Sequence, residues 1–490
     1  MRDNNVTNIA TQRQLFVDDF WIDKSINTTR QLHEPTRRDP VIEKDYPWEQ
    51  GFVGAASIAY DGDKYRMWYV CDDASMLGVT GVNFRRHAYA ESEDGINWTK
   101  PFLGQTEFEG SKENNLLVAK IGVVGLDKNP DVKEEERFKA FKPVPTNATP
   151  PKDPDNPTWQ EALAQRWSRG GGIVAMASPD GINWHQMYDD PILTGWPFDS
   201  KNLFFWDEWT GQYRGYTRGI ANNDPNVDPA TVKDQIGHEF VGGVRWIRWT
   251  TSSDFKTWTP LKDIKTGDTP YEHLYTNECW PYERAPGTYL MFPSRYVAHR
   301  MPDPDWFDGT GLNDIVFMSS RDGVNFDRTF MEAFIRPGLD KRNWHERGIY
   351  FDHGIFQTSP TELTMYVTEH IKTPDVHVRR YTLRPDGFIS VNAGYSGGEF
   401  TTRSFTFEGN QLELNYSTSA VGSIKVEIQD DKGNAIPGFT LNDCPEMFAD
   451  LIDGKVTWES GGDVSRLAGK PIRLRFALMD ADLYAFKFNK

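Results

Sequence analysis

The stretch Ser92-Glu93-Asp94-Gly95-Ile96-Asn97-Trp98 ends a run that reads as β-strand, and it recurs along the chain. Its copies are Asp180-Gly181-Ile182-Asn183-Trp184, Asp254-Phe255-Lys256-Thr257-Trp258, Asp322-Gly323-Val324-Asn325-Phe326 and the shorter Asp386-Gly387-Phe388. Successive Asp positions lie 86, 74, 68 and 64 residues apart. In such a turn Asp accepts from its own backbone two residues on, and Gly supplies the positive φ of a tight hairpin. The aromatic that follows returns to the apolar interior. A shared upstream serine, at Ser92, Ser178, Ser252 and Ser319 or Ser320, argues against five unrelated hairpins. Strand-rich units repeating at a roughly fixed period signal a radial or stacked architecture. Five of them predict a five-bladed β-propeller, in which one strand start from every blade meets at a common axis. The turns themselves are structural and carry no chemistry.

Working outward from the turns, the blades are expected near 49–100, 115–186, 199–260, 272–328 and 347–392. The early strand Leu15-Phe16-Val17 and the basic stretch up to residue 42 are expected to close the last blade on the first. The Pro-rich stretch from Pro143 to Pro157 reads as an exposed loop. Composition changes after Gly397, where Ser423-Ile424-Lys425-Val426-Glu427-Ile428-Gln429 alternates polar and apolar residues as a half-buried strand does. The predicted fold class is therefore all-β. Residues 1–396 form a five-bladed β-propeller with an N-terminal closing segment, and 397–490 form a C-terminal β-sandwich.

At 490 residues the chain is too long for one ordinary core. Aromatic residues make up 13% of it, including 17 Trp, which suits blade packing and sugar-stacking platforms alike. A net charge of −17 argues against nucleic acid or an anionic membrane as partner. Cys71, Cys279 and Cys444 are too sparse for a disulfide framework or a zinc site. No apolar run reaches the length of a membrane span. Met1 to Gln14 is polar and lacks the apolar core of a secretory leader, which leaves two compartments open: cytoplasmic, or secreted after removal of a leader. Oligomeric state is also open.

Chemistry is expected where innermost strands begin. Reading those starts in order gives Trp48-Glu49-Gln50, Gly125-Leu126-Asp127, Phe198-Asp199-Ser200-Lys201-Asn202, Thr276-Asn277-Glu278-Cys279-Trp280 and Tyr350-Phe351-Asp352-His353-Gly354. Carboxylates that converge repel one another, so some pKa values rise while others stay low. That separation is what a general acid and a general base require, and two such groups flanking an acetal are the usual machinery of glycoside hydrolysis. The competing explanation for any one of them is a structural acid bonded to backbone amides. Trp48, Trp280, Trp206, Trp344, Tyr282 and Tyr350 are candidate sugar platforms, and Arg295, Arg347 and His353 are candidate partners for hydroxyls or for an anionic group on the sugar. Asp127 and Asp352 complete the expected substrate-binding set. His353 is equally open to a buried structural role or to holding a structural cation near the axis. No metal-site spacing is present, and no cofactor is expected.

This pattern resembles the five-bladed propeller glycosidases, the group of glycoside hydrolase families 32, 43, 68 and 117. The resemblance covers most of the chain in architecture, and family 32 also carries a trailing β-sandwich. Families 32 and 68 place their acid/base Glu in a short Glu-Cys motif, to which Glu278-Cys279 followed by Pro281 is similar. The resemblance implies Asp199 as the transition-state stabiliser and Glu49 as the first-blade carboxylate. The family 32 motif Asn-Asp-Pro-Asn is absent, and Glu49 stands where the families use Asp. Arg38-Asp39-Pro40 precedes the first blade and does not match the family's Arg-Asp-Pro in position. No single family follows.

The expected function is thus a glycoside hydrolase acting on a poly- or oligosaccharide. Glu278 is its general acid, Glu49 its base or nucleophile, and Asp199 orients the sugar. Two alternatives stand beside it. One is a glycoside phosphorylase on the same scaffold, with Arg295, Arg347 and His353 for phosphate. The other is a non-catalytic glycan-binding propeller that keeps the aromatics and tolerates loss of the acids.

Overall fold

A computed structural model describes residues 6–76, 85–144, 171–194, 198, 200–221, 244–305 and 309–490. Among them the protein is all-β. Every described helical segment is a single three-residue 3-10 turn, such as Pro47–Glu49.

Five antiparallel meanders follow one another. The first sheet holds Phe52–Tyr60, Tyr65–Asp72, Arg86–Ser92 and Leu116–Leu117. The second holds Val123–Leu126, Phe138–Val144, Gly172–Ser178 and His185–Gln186, with Leu193–Thr194 beside them. The third holds Leu203–Asp207, Gln212–Ala221, Val244–Ser252 and Lys262–Asp263. The fourth is broken crosswise into two four-stranded halves. One half contains Cys279–Pro281 and Tyr289–Met291, the other His273–Leu274 and Ser294–Val297. The fifth holds Ile349–Ser359, Glu362–Glu369 and His377–Leu383, its fourth strand is Thr36–Ile42 from the other end of the chain, and the parallel pair His353–Ser57 joins it to the first as one eight-stranded sheet.

The recurring turns join these sheets in a cycle. In four of them the serine hydroxyl accepts from the backbone or donates to the Asp, and the Asp carboxylate accepts two backbone N–H groups, as at Asp94 from Ile96 and Asn97, both at 2.8 Å. In the fourth sheet the serine is Ser320. Each turn then seats on the second strand of the preceding sheet. Tyr366 donates to the Gly95 carbonyl at 2.6 Å, Trp68 to that of Gly181 at 2.6 Å and Tyr216 to that of Gly323 at 2.7 Å. Phe255 replaces the glycine in the third copy and packs on Phe141 instead. The fifth turn also reaches the preceding sheet, by a different contact: the Asp386 carboxylate accepts from Tyr282, just past the strand Cys279–Pro281.

The segment 15–42 divides. Thr36–Ile42 pairs antiparallel with His377–Leu383 of the fifth sheet. The earlier strands do otherwise: Gln14–Leu15, Ile22–Ile26 and Thr29–Leu32 join a ten-stranded sheet with the C-terminal strands. Ile389–Ala393, ahead of residue 397, also belongs to it. Its core is a cluster including Phe16, Trp21, Phe400, Phe405, Val426, Phe476 and Phe486. Phe16 and Trp21 bury their aromatic area in this cluster, while Leu15 and Val17 face the apolar cluster of the fourth and fifth sheets, so the segment is held from both sides. Pro143 lies within a strand, paired with Ile173, and the rest of the Pro-rich stretch lies outside the described residues. All three cysteines are buried and free.

Candidate active site

The first strands of three sheets are irregular. In the first, Gly54 and Ala55 have φ of 147° and 50°, and pairing shifts between Gly54 and Ser57. In the fifth, pairing shifts between Phe351 and Ile355 around Gly354, φ 133°. In the fourth, Glu278 has φ 49° at the crosswise break. Such bulges re-aim side chains, and a non-glycine residue in the left-handed region marks stored strain. Here they bring together Glu278, Asp352, His353 and, from the start of the third sheet, Lys201.

The Lys201 ammonium lies 2.9 Å from Glu278 Oε1 and 3.4 Å from Asp352 Oδ1, and donates to the Phe351 carbonyl at 2.6 Å. His353 Nδ1 is 3.3 Å from Glu278 Oε2. Asp352 accepts from Thr368 Oγ1 at 2.7 Å and from the Ala56 amide at 2.9 Å. Both carboxyl groups are buried, and neither oxygen of Glu278 has a hydrogen bond of good geometry. One ammonium does not neutralise two acids. Burial alone raises Glu278, but Lys201 and His353 outweigh it and hold the carboxyl below its ordinary value. Burial, aided by the Glu278 charge, pushes Asp352 up to about 6 against the pull of Lys201 and Thr368. The pair therefore offers an ionised carboxylate and a carboxyl that titrates near neutrality, the division that acid–base work needs.

The other expected site residues go elsewhere. Asp199 lies outside the described residues. Glu49 turns away from the axis into a closed set of partners: Tyr69 Oη at 2.5 Å, Lys100 Nζ at 2.9 Å, and the amides of Asp45 and Tyr46 at 2.9 and 3.2 Å. These partners are those of an acid that holds its own loop. Trp48 follows it, stacked on Tyr46 at 4.6 Å and donating to Asn115. Asp127 stands at the trailing end of Val123–Leu126 and not at its start, and it binds Lys139 and the Tyr213 hydroxyl. Asp61 with Arg66 and Asp207 with Arg214 repeat this arrangement in the first and third sheets, so the acid–cation hairpin is structural in each. Arg295 is consumed by Asp314 and Glu272, both within 2.9 Å. Tyr282 is buried against Asp386, and Trp344 is an exposed outer residue bonded to Gly338.

Trp280 packs edge-on against His353 at 5.1 Å. On its far side, Trp280, Trp206, Tyr60, Phe356 and His353 line a cavity of about 420 Å³ among the trailing ends of the strands. Arg347 and Tyr350 stay at the leading end, beside Tyr275, whose ring stacks on Tyr350 at 5.9 Å. Lys201 and Thr368 were missed by sequence reasoning. Lys201 lies in a quoted strand start, and a cation among converging acids was the available signal. Thr368, on a second strand, carries none.

One set of described residues brings metal-ligand types together: Glu369, His370 and His377, with donor atoms within 4.8 Å of one another. Glu369 is already claimed by Arg37, Arg379 and Tyr381, and Arg379 also meets His377 at 3.1 Å. A cation there would meet two guanidinium groups, so the set fits an ion pair network and not a metal.

Neither a protein-family model nor a curated protein sequence matches the chain. Solved structures do. The chain is similar to solved glycoside hydrolases. A family 43 arabinoxylan arabinofuranohydrolase from Bacillus subtilis, in complex with cellotetraose, shares 12% identity over 91% of this chain and 96% of its own, with a TM-score of 0.41. A family 32 β-fructofuranosidase from Bombyx mori shares 11% identity over 94% of each chain, with a TM-score of 0.41. A structure from the family 130 mannoside phosphorylases, described as containing hydrolases of β-1,2 mannosidic linkages in Candida mannan, shares 13% identity over 79% of this chain and 96% of its own, with a TM-score of 0.39. Two of these structures are named for families 43 and 32, which the sequence also resembles, and the third for family 130, which lies outside that set. Likeness at this level leaves the reaction to be argued from the site.

Proposed function

We propose that the protein is a glycoside hydrolase of poly- or oligosaccharides, built on a five-bladed β-propeller with a C-terminal β-sandwich. The turn-to-strand seating around five sheets supports the propeller. The observation that carries the activity is Glu278: a buried carboxylate with both oxygens lacking good hydrogen bonds, on a strained backbone, beside a second carboxyl of opposite titration. Buried polar groups in folded proteins are nearly always bonded, so acceptor capacity left open here is capacity for a ligand.

The roles follow from the electrostatics. Glu278, kept ionised by Lys201 and His353, is the base or nucleophile. Asp352, protonated below about pH 6, is the proton donor to the leaving oxygen. This exchanges the part that the Glu-Cys resemblance assigns to Glu278. Lys201 bridges the two acids, and Tyr275 and Tyr350, stacked on each other, lie a few residues before them in the chain.

Turnover on a panel of polysaccharides and aryl glycosides, with and without phosphate, tests the reading. Glu278→Gln and Asp352→Asn are each expected to fold and to lose activity by about 10²–10⁴-fold. An aryl glycoside with a good leaving group needs less protonation, so Asp352→Asn should spare it and Glu278→Gln should not. The reverse pattern returns the acid to Glu278. Wild-type binding of glycan without turnover would leave a binding propeller, and turnover only with phosphate would make it a phosphorylase.

A further inference from the structure

Beside the carboxyl pair, at the leading ends of the third to fifth sheets, stand three guanidinium groups and three tyrosines. Arg245 begins the third strand of the third sheet, and Arg218 lies on the strand paired with it. Arg347 immediately precedes the innermost strand of the fifth sheet. The Arg245 guanidinium lies 4.9 Å from the ring centre of Tyr296 and 5.5 Å from that of Tyr275, and Arg218 lies 5.6 Å from Tyr275. Ser200 donates to the Tyr275 carbonyl at 3.1 Å, which ties this group to the strand start that carries Lys201.

Arg245 differs from the other half-buried arginines. Arg214, Arg284, Arg295, Arg321 and Arg328 each have a carboxylate within 3.0 Å. Arg347 has Glu346 at 3.1 Å. Arg245 has no carboxylate partner among the described residues, and its Nε is buried without an acceptor. Among the described residues, the rings of Tyr296 and Tyr275 and the Arg218 guanidinium stand close to it. Removing a charge from water without a counter-charge is costly, and a native structure keeps such a group where something else completes it. Guanidinium groups bind carboxylate and sulfate through paired N–H donors, and tyrosine faces beside them suit a sugar ring.

We propose that Arg245, with Arg218 and Arg347, forms an oxyanion subsite that holds an acidic substituent of the sugar, a uronate carboxylate or a sulfate ester, so that the substrate is an acidic glycan. This rests on the reading of the adjacent carboxyl pair as the sugar-cleaving site. Burial and the neighbouring Arg218 also hold Arg245 below its usual pKa, the response of a cation that lacks its counter-ion. The net charge of −17 on the whole chain makes a local cationic pocket the means by which a polyanion is accepted at all.

Calorimetric titration of the intact protein with galacturonate, glucuronate, galactose 6-sulfate, galactose, glucose and inorganic phosphate tests it. At least one acidic sugar is expected to bind about tenfold or more tightly than its neutral counterpart, with an advantage that shrinks as salt is added. The uronates and the sulfate separate the two sources of negative charge. Arg245→Gln should abolish the advantage, and Arg245→Lys should keep part of it. The unliganded Arg245→Met variant should melt above wild type, because it loses an unpaired buried charge. Equal binding of neutral and acidic sugars, no binding of any acidic sugar, indifference to Arg245→Gln, or a lower melting point for Arg245→Met would each overturn the proposal. Binding of phosphate alone would overturn it in favour of phosphorolysis. Every readout is binding or melting, so a failure here leaves the hydrolase reading to stand or fall on turnover.

Discussion

Asp352 and Glu278 respond to pH in opposite senses because burial outweighs Lys201 at Asp352, whereas Lys201 and His353 together outweigh burial at Glu278. Asp352 rises from 3.8 to about 6, so the folded state binds its proton more tightly than the unfolded chain does. Its contribution to stability is complete below pH 3.8 and is lost as pH rises through about 6. Two pKa units correspond to about 3 kcal/mol at most. Glu278 is lowered, so its contribution is present above its ordinary 4.5 and is lost as pH falls through the folded value. Asp352→Asn should therefore narrow the stability difference from wild type between pH 4 and pH 7, or reverse it in the variant's favour. Urea unfolding at three pH values across that range checks this, and a constant difference would refute it. Glu49 belongs to a different kind of site. Glu49→Ala removes the buried one of the two carboxylates that hold Lys100, leaves the ammonium the exposed Asp45 and the Glu43 carbonyl, and should cost about 3 kcal/mol, the low end for removal of one member of a buried ion pair. Turnover per folded molecule should hardly change. A large loss of turnover in folded Glu49→Ala would return that residue to the chemistry.

Among the elements, the Asp-Gly turn does two jobs: it reverses the chain and it presents a carbonyl to the preceding sheet. Gly181 has φ 75°, and a Cβ there would stand 2.5 Å from the Trp68 ring. Gly62 has φ 94° in a plain hairpin, with open space around it. Alanine at Gly62 should cost only the left-handed backbone, about 1–2 kcal/mol. Alanine at Gly181 should cost clearly more, since it also pushes the first and second sheets apart. Chemical denaturation of the two variants decides between them, and equal losses would mean that the turn does not join sheets.

At the scale of the whole molecule, the chain is closed by its own first residues. Thr36–Ile42 completes the fifth sheet, while Gln14–Leu15, Ile22–Ile26 and Thr29–Leu32 depend on C-terminal strands. Arg13 also pairs with Asp386 at 3.1 Å, linking the N-terminus to the last turn. A chain ending at residue 396 should therefore uncover Phe16, Trp21 and Val391 and fail to give a soluble folded protein. Gel filtration and circular dichroism of the truncated chain test this. A stable monomer with native strand signal would show that the five sheets stand without the C-terminal strands.

The repeat was legible because each copy of the turn is local: Ser, Asp, Gly and an aromatic make the same bonds to their own backbone wherever they occur. The same holds for Glu278, Asp352 and His353, which lie in strand starts readable from apolar runs. Glu49 and Asp127 were misplaced because a side chain's face depends on register. A 3-10 turn at Pro47–Glu49 and a first strand ending at Leu126 rotate both acids onto structural partners. Lys201 and Arg245 acquire meaning only beside residues more than a hundred or some thirty positions away, at 352 and 275. Local turn chemistry and alternation determined an all-β repeat chain from sequence alone. Which acids stay unsatisfied, which cation lacks a partner and which strands the N-terminus joins depend on burial and charge between distant segments, so only the tertiary structure decided them.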